Sequence, residues 1–275
     1  MKYTLSKLYD KLVLAYPKAW LILIALIVGI SGLYVKDFRL DASADSLILE
    51  NDKDLLYHRA IGKVYGTEDF LIITYTPISE LLSKDSLDAL RGLKEDLSKL
   101  ERIKSVVSIL DVPLLNSPRI KVSDLESNQR TLETPGLDKK LAKKEFIESP
   151  IYRKFLASPD GKTTSLLALY KRDKTYYSLL ETRDDLREKK RNQGILIPEE
   201  EKKLREVSHE FKRYLAHIQD IQSEEIEKIR SILDKYRDKA KIFLGGLPMI
   251  TSDMIDLIET DLYVFGIGVF CLMVI

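Results

Sequence analysis

Gly161-Lys162-Thr163 has the ending of a phosphate-binding loop, in which backbone N–H groups cradle a phosphate and the lysine meets its charge. Such a loop also needs an earlier glycine, and the positions that could hold it are Leu156 and Ala157. Asp160-Gly161 therefore reads as a hairpin turn. His209 and His217 share a predicted helix while His58 is remote, so no zinc-ligand spacing results and no metal ligand is expected. Gly266-x-Gly268 lies inside an apolar run and follows no strand, which favours helix packing over dinucleotide binding. Gly245-Gly246 precedes a helix and could cradle an anion, yet a tight strand-to-helix turn explains the pair with less. Asp253, Asp256, Glu259 and Asp261 are carboxylates of the kind that relay protons when buried in lipid, but their setting is a solvated helix entry rather than an apolar run. The sequence thus marks no catalytic, cofactor-binding or metal-binding residue and no proton relay. No cofactor and no enzymatic activity are expected, and no motif marks a substrate-binding residue.

The elements that could position chemistry are set by an uneven distribution of charge. The 275 residues are 32% charged, and 44 Lys plus Arg against 43 Asp plus Glu give a net +1, so nucleic acid is not an expected partner. Charge is absent from Ala19 to Val35 and again from Leu262 to Ile275. The first stretch rises about 25 Å as a helix, and Trp20 and Tyr34 suit two membrane interfaces. Residues 1–18, with Lys2, Lys7, Lys11 and Lys18, read as a cytoplasmic N-terminus, and 19–35 as a first transmembrane helix. Ala42-Ser43-Ala44 has the form of a signal-peptide cleavage site, but charges intervene between it and the apolar run, so the span is expected to be retained. Residues 251–275 read as the entry and first part of a second transmembrane helix, cut short at Ile275, and the chain as an N-terminal fragment. Cys271 is the sole cysteine, so no intrachain disulfide forms.

Residues 36–250 read as one periplasmic domain. Asp69–Thr76 and Ile103–Leu110 are strands, and leucines 87, 90, 93, 97 and 100 make 84–100 an amphipathic helix. Leu114 to Phe146 reads as loop with short helical pieces. Tyr152–Ala157 and 162–170 flank the Asp160-Gly161 turn as two strands, and Lys241–Gly246 is the last. An insertion over 175–222 has a coiled-coil seam at Leu204, Val207, Phe211, Tyr214, Ile218 and Ile221. Tyr176, Leu179, Leu180 and Leu186 are expected to face it from the first arm. The seam slips by five to Ile226, where a helical hairpin should give way to a core-packing helix. The hairpin is either a self-contained solvated coil or a docking arm for a second copy or a periplasmic partner, and the first reading is the simpler. Without the insertion the order is strand, helix, strand, strand, helix, strand. That gives an α+β, ferredoxin-like (split βαβ) porter domain bracketed by two transmembrane helices.

Four blocks carry a family likeness: Leu40-Asp41-Ala42-Ser43-Ala44-Asp45-Ser46-Leu47, Tyr65-Gly66-Thr67-Glu68-Asp69-Phe70-Leu71, Leu110-Asp111-Val112-Pro113-Leu114-Leu115, and Phe243-Leu244-Gly245-Gly246-Leu247-Pro248-Met249-Ile250. In this order they resemble the resistance-nodulation-division (RND) exporters, with the MMPL and hopanoid-transporter-like branch the nearest. The resemblance implies a multi-pass inner-membrane permease that uses proton flow to move lipids or other hydrophobic molecules. Membrane lipids and a hydrophobic substrate are then the expected partners, and the proton-relay carboxylates lie beyond this chain. A two-span membrane sensor with a periplasmic ligand-binding domain is the alternative.

Overall fold

The computed structural model describes residues 16–33, 69–116 and 130–274, together with Asp54, Tyr57, Ile61, Gly62 and Tyr65. The chain divides into two compact units, Met1–Asp41 and Ala42–Ile275. In the first, helix α1 runs over Pro17–Leu33. The second holds β1 (Phe70–Pro77), α2 (Lys84–Ser98), β2 (Ile103–Val107), α3 (Lys139–Glu148), β3 (Thr164–Tyr170), α4 (Lys174–Gln193), α5 (Pro198–Asp234), β4 (Ala240–Gly245) and α6 (Leu247–Val274).

Strand β1 alternates strictly. Leu71, Ile73 and Tyr75 are fully buried while Phe70 and Ile72 point outward, the period-2 pattern of a sheet with one covered face. The cover is α2, whose Leu90, Leu93 and Leu97 are fully buried, and the C-terminal half of α5, which contributes Ile226, Ile229 and Leu233. Helix α2 starts where Ser83 Oγ accepts the Ser86 N–H, a side-chain N-cap. The four strands are ordered β2-β3-β1-β4, and all neighbours are antiparallel. Ile73 pairs with Leu166 on one side and with Leu244 on the other. With α4 and the N-terminal half of α5 set aside, β1-α2-β2-β3-α5-β4 is a split βαβ connectivity, which brings the starts of β1 and β2 and the end of β3 to one edge of the layer.

Helix α5 is continuous through the seam slip. Its first half packs on α4, burying Phe211 and Leu215, and its second half packs on the sheet. Tyr176, Leu179, Leu180 and Leu186 are half-buried, and Arg183 is the buried residue of α4, with its guanidinium 4.2 Å from the Phe211 ring centre. Two local expectations differ. The segment 152–157 is a turn with isolated bridges, Arg153 to Ala157 and Ala157 to Thr164, rather than a strand. The late part of the expected loop is helical as α3, capped by Asp138, whose carboxylate accepts the Lys140 and Leu141 N–H groups. The block Leu40–Leu47, the tripeptide Ala42-Ser43-Ala44 and His58 lie outside the described residues.

The expected bracketing by two transmembrane helices is corrected. Among the described residues no helix is long and apolar enough to cross a membrane. Helix α1 has 17 residues, a rise of about 25 Å against a hydrocarbon core of about 30 Å. Helix α6 is longer, but Asp253, Asp256, Glu259 and Asp261 occupy its first half and leave about 20 Å of uncharged helix. The multi-pass inner-membrane assignment falls with the spans, as do the cytoplasmic N-terminus and the periplasmic placing of 36–250.

Candidate functional site

The fold brings three chain ends together where α4, α5 and α6 meet the sheet. Asp69 precedes β1, Arg102 precedes β2 and Tyr170 ends β3. Backbone bonds lock them: Tyr170 N–H donates to Asp69 O at 2.9 Å and Lys171 N–H to Arg102 O at 2.7 Å. Glu225 comes from the middle of α5, beside the core residue Ile226. Arg102 Nη1 lies 3.7 Å from Glu225 Oε2, and its guanidinium carbon 5.5 Å from the Tyr170 ring centre.

Two of these groups are buried more deeply than their polarity favours. Tyr170 is 5% exposed and Glu225 6%. Burial pushes the Glu225 carboxyl above the usual carboxylate range, and the Arg102 charge only partly opposes it. Asp69 is raised for the same reason, again with Arg102 in opposition. Burial also lifts the Tyr170 phenol, and the Glu225 charge adds to the effect. The buried Glu225 carboxyl and the exposed Asp69 carboxyl therefore share one guanidinium. Tyr170 Oη faces the Glu225 carboxylate. Yet Tyr170 Oη, Glu225 Oε2, Arg102 Nη1 and Gln219 Nε2 are buried without a hydrogen bond of full geometry. Buried polar atoms are nearly always paired; here Arg102 Nη1, Tyr170 Oη and Glu225 Oε2 face one another without closing a bond and Gln219 Nε2 stands apart from them, which makes this the candidate site.

A cavity of about 180 Å³ opens beside them, lined by Asp69, Arg102, Tyr170 and Gln219 and walled by Tyr176, Tyr177, Leu215, Ile218 and Pro248. Its frame is fixed. Asp173 caps α4 by accepting the Tyr176 N–H at 2.9 Å and also accepts the Tyr214 hydroxyl at 2.9 Å. Gln222 Nε2 donates to Pro248 O at 2.8 Å. Ser223 Oγ and Ser252 Oγ are 3.0 Å apart, and Arg230 holds Asp253 at 2.6 Å. A larger groove of about 640 Å³ lies at the start of α2. Its hydroxyls satisfy one another, with Ser79 Oγ 2.8 Å from Ser86 Oγ and Tyr236 Oη donating to Asp96 at 3.0 Å. It lacks the unmet polar groups of the smaller cavity.

The residues singled out in the sequence lie elsewhere. Gly161-Lys162-Thr163 is a tight turn, with Ser158 N–H donating to Thr163 O at 2.9 Å, and it leads into β3 rather than a helix. His209 and His217 are exposed on α5, and among the described residues no group of His, Cys, Asp or Glu could hold a metal. Gly266 and Gly268 lie within α6 with nothing near. Cys271 is exposed. Asp253 is engaged by Arg230, while Asp256, Glu259 and Asp261 are exposed. Asp69, Arg102, Tyr170 and Glu225 follow no motif. The one signal in the sequence was the seam slip, which turns Glu225 inward beside Ile226.

No protein-family model matches the chain, and no curated protein matches it.

Proposed function

We propose that this chain supplies a porter-type domain of a proton-driven RND-type exporter, handling lipids or other hydrophobic molecules. The observation that carries this reading is the cavity at the meeting of sheet, hairpin and α6. It joins aromatic and aliphatic walls to unmet polar atoms, and so suits part of an amphiphile. The split βαβ order and the four sequence blocks support it. The alternative is a sensor. The same cavity touches α4, α5 and α6, so an occupant could bias the hairpin without being moved.

Disrupting the gene tests the choice. Cells lacking the protein should retain more of a hydrophobic fluorescent dye, and a protonophore should bring wild-type cells to the same level. Unchanged retention in the disrupted strain, with ligand binding by the purified chain intact, would favour the sensor.

A further inference from the structure

The unmet polar atoms of the cavity are unequal in kind. Arg102 Nη1 and Gln219 Nε2 can only donate, and the Tyr170 hydroxyl has a proton to give. The one orphan acceptor, Glu225 Oε2, already faces Arg102 and Tyr170. What the cavity lacks is therefore an acceptor. The other carboxylates of its wall do not supply one. Asp173 is taken up by the Tyr176 N–H and the Tyr214 hydroxyl. Asp69, at the exposed start of β1, faces the Arg102 charge that it partly balances. Lys171 and Arg172 add positive charge at the wall. An acceptor that also carries negative charge fits this set better than a neutral hydroxyl or a cation.

Size narrows the class further. A volume of about 180 Å³ gives room for a small head group and a short length of chain. Tyr176, Leu215 and Ile218 give the chain an apolar bed. We propose that the cavity binds the carboxylate head of a single-chain aliphatic acid, with Arg102 as counter-charge and Gln219 and Tyr170 as the neutral donors. This deepens the exporter reading and rests on it for the acid being cargo, while binding itself is tested separately.

Equilibrium dialysis of the full chain against radiolabelled decanoate, below its micelle-forming range, measures that binding, with decanol and decyltrimethylammonium as comparison ligands. Decanoate should bind at least about tenfold more tightly than either. The double substitution Arg102→Gln with Glu225→Gln removes both members of the buried ion pair together, so neither is left without the other. It should weaken decanoate about tenfold and leave decanol unchanged. Gln219→Ala, at a half-buried position of α5, should weaken decanoate about threefold and keeps the test open if the double variant unfolds. Equal affinity for decanol, preference for the cationic amphiphile, or undiminished decanoate binding in the folded variants overturns the proposal. Acid binding with no change in dye retention defeats the exporter reading alone, and dye export without acid selectivity defeats the head-group assignment alone.

Discussion

At the scale of single residues, the raised carboxyls beside Arg102 make stability depend on pH in a direction opposite to a surface ion pair. Burial raises Asp69 above its ordinary value, so the folded state holds that proton more tightly than the unfolded chain does. The contribution of Asp69 to stability is then most favourable below its unfolded pKa and declines as pH rises through the folded one. Asn at this position does not titrate. The melting temperature of wild type minus that of Asp69→Asn should therefore become less favourable to wild type between pH 4 and pH 7, and a constant difference would show that Asp69 is solvated. Glu145 acts through hydrogen bonds instead. Its buried carboxylate accepts the Leu115 N–H at 2.6 Å and the Asn116 N–H at 3.0 Å, holding the chain that leaves β2 against α3. Glu145→Ala strands two backbone donors and should cost about 2–3 kcal/mol in urea unfolding.

At the scale of elements, Gly246 controls how β4 hands over to α6. Its φ is +124°, and a Cβ there would stand 2.7 Å from Phe70 O and 3.1 Å from Leu71 Cα. Gly246→Ala must displace β1 backbone, so a loss of about 3 kcal/mol or more is expected. Gly194, which ends α4 at φ +79° with open space around it, should lose only about 1 kcal/mol on the same change. Similar losses at the two sites would mean that backbone conformation alone sets the cost. This contrast also marks what sequence could tell. The leucine spacing of α2, the alternation of β1 and the glycine pair after β4 are local signals, and the strands and helices they imply lie within a few residues of the observed ones. The segment 152–157 misled because its β-like residues satisfy one another in a turn, with Arg153 N–H donating to Ser149 O and Lys154 N–H to Ala157 O. The apolar runs misled because charge-free composition does not measure helix length. The site left almost no trace, since Asp69, Arg102, Tyr170 and Glu225 meet only through sheet order and a helix that changes partners midway.

At the scale of the whole Ala42–Ile275 unit, that change of partner divides the stability of α5 between two environments. Its C-terminal half shares the main core, where Ile226, Ile229 and Leu233 are fully buried beside α2 and the sheet. Its N-terminal half has only α4, and the buried contacts there reduce to Phe211, Leu215, Arg183 and, at the turn, Leu196. The Tyr176 and Phe211 ring centres are 5.4 Å apart and the Arg183 guanidinium is 4.2 Å from the Phe211 ring centre, so one aromatic ring ties the two arms together. Surface ion pairs such as Lys190 with Glu201 add little. A hairpin so thinly cored should open below the global unfolding free energy while the sheet remains folded. Phe211→Ala should then speed amide exchange over residues 177–214 by an order of magnitude or more and leave exchange in β1 and β3 unchanged. Because Tyr176 and Leu215 also wall the cavity, the same substitution should weaken ligand binding without lowering the global unfolding free energy in urea by more than about 1 kcal/mol. Uniform acceleration of exchange through the sheet would show instead that hairpin and core unfold as one unit, and an occupant of the cavity could then stabilise the arms only by stabilising everything.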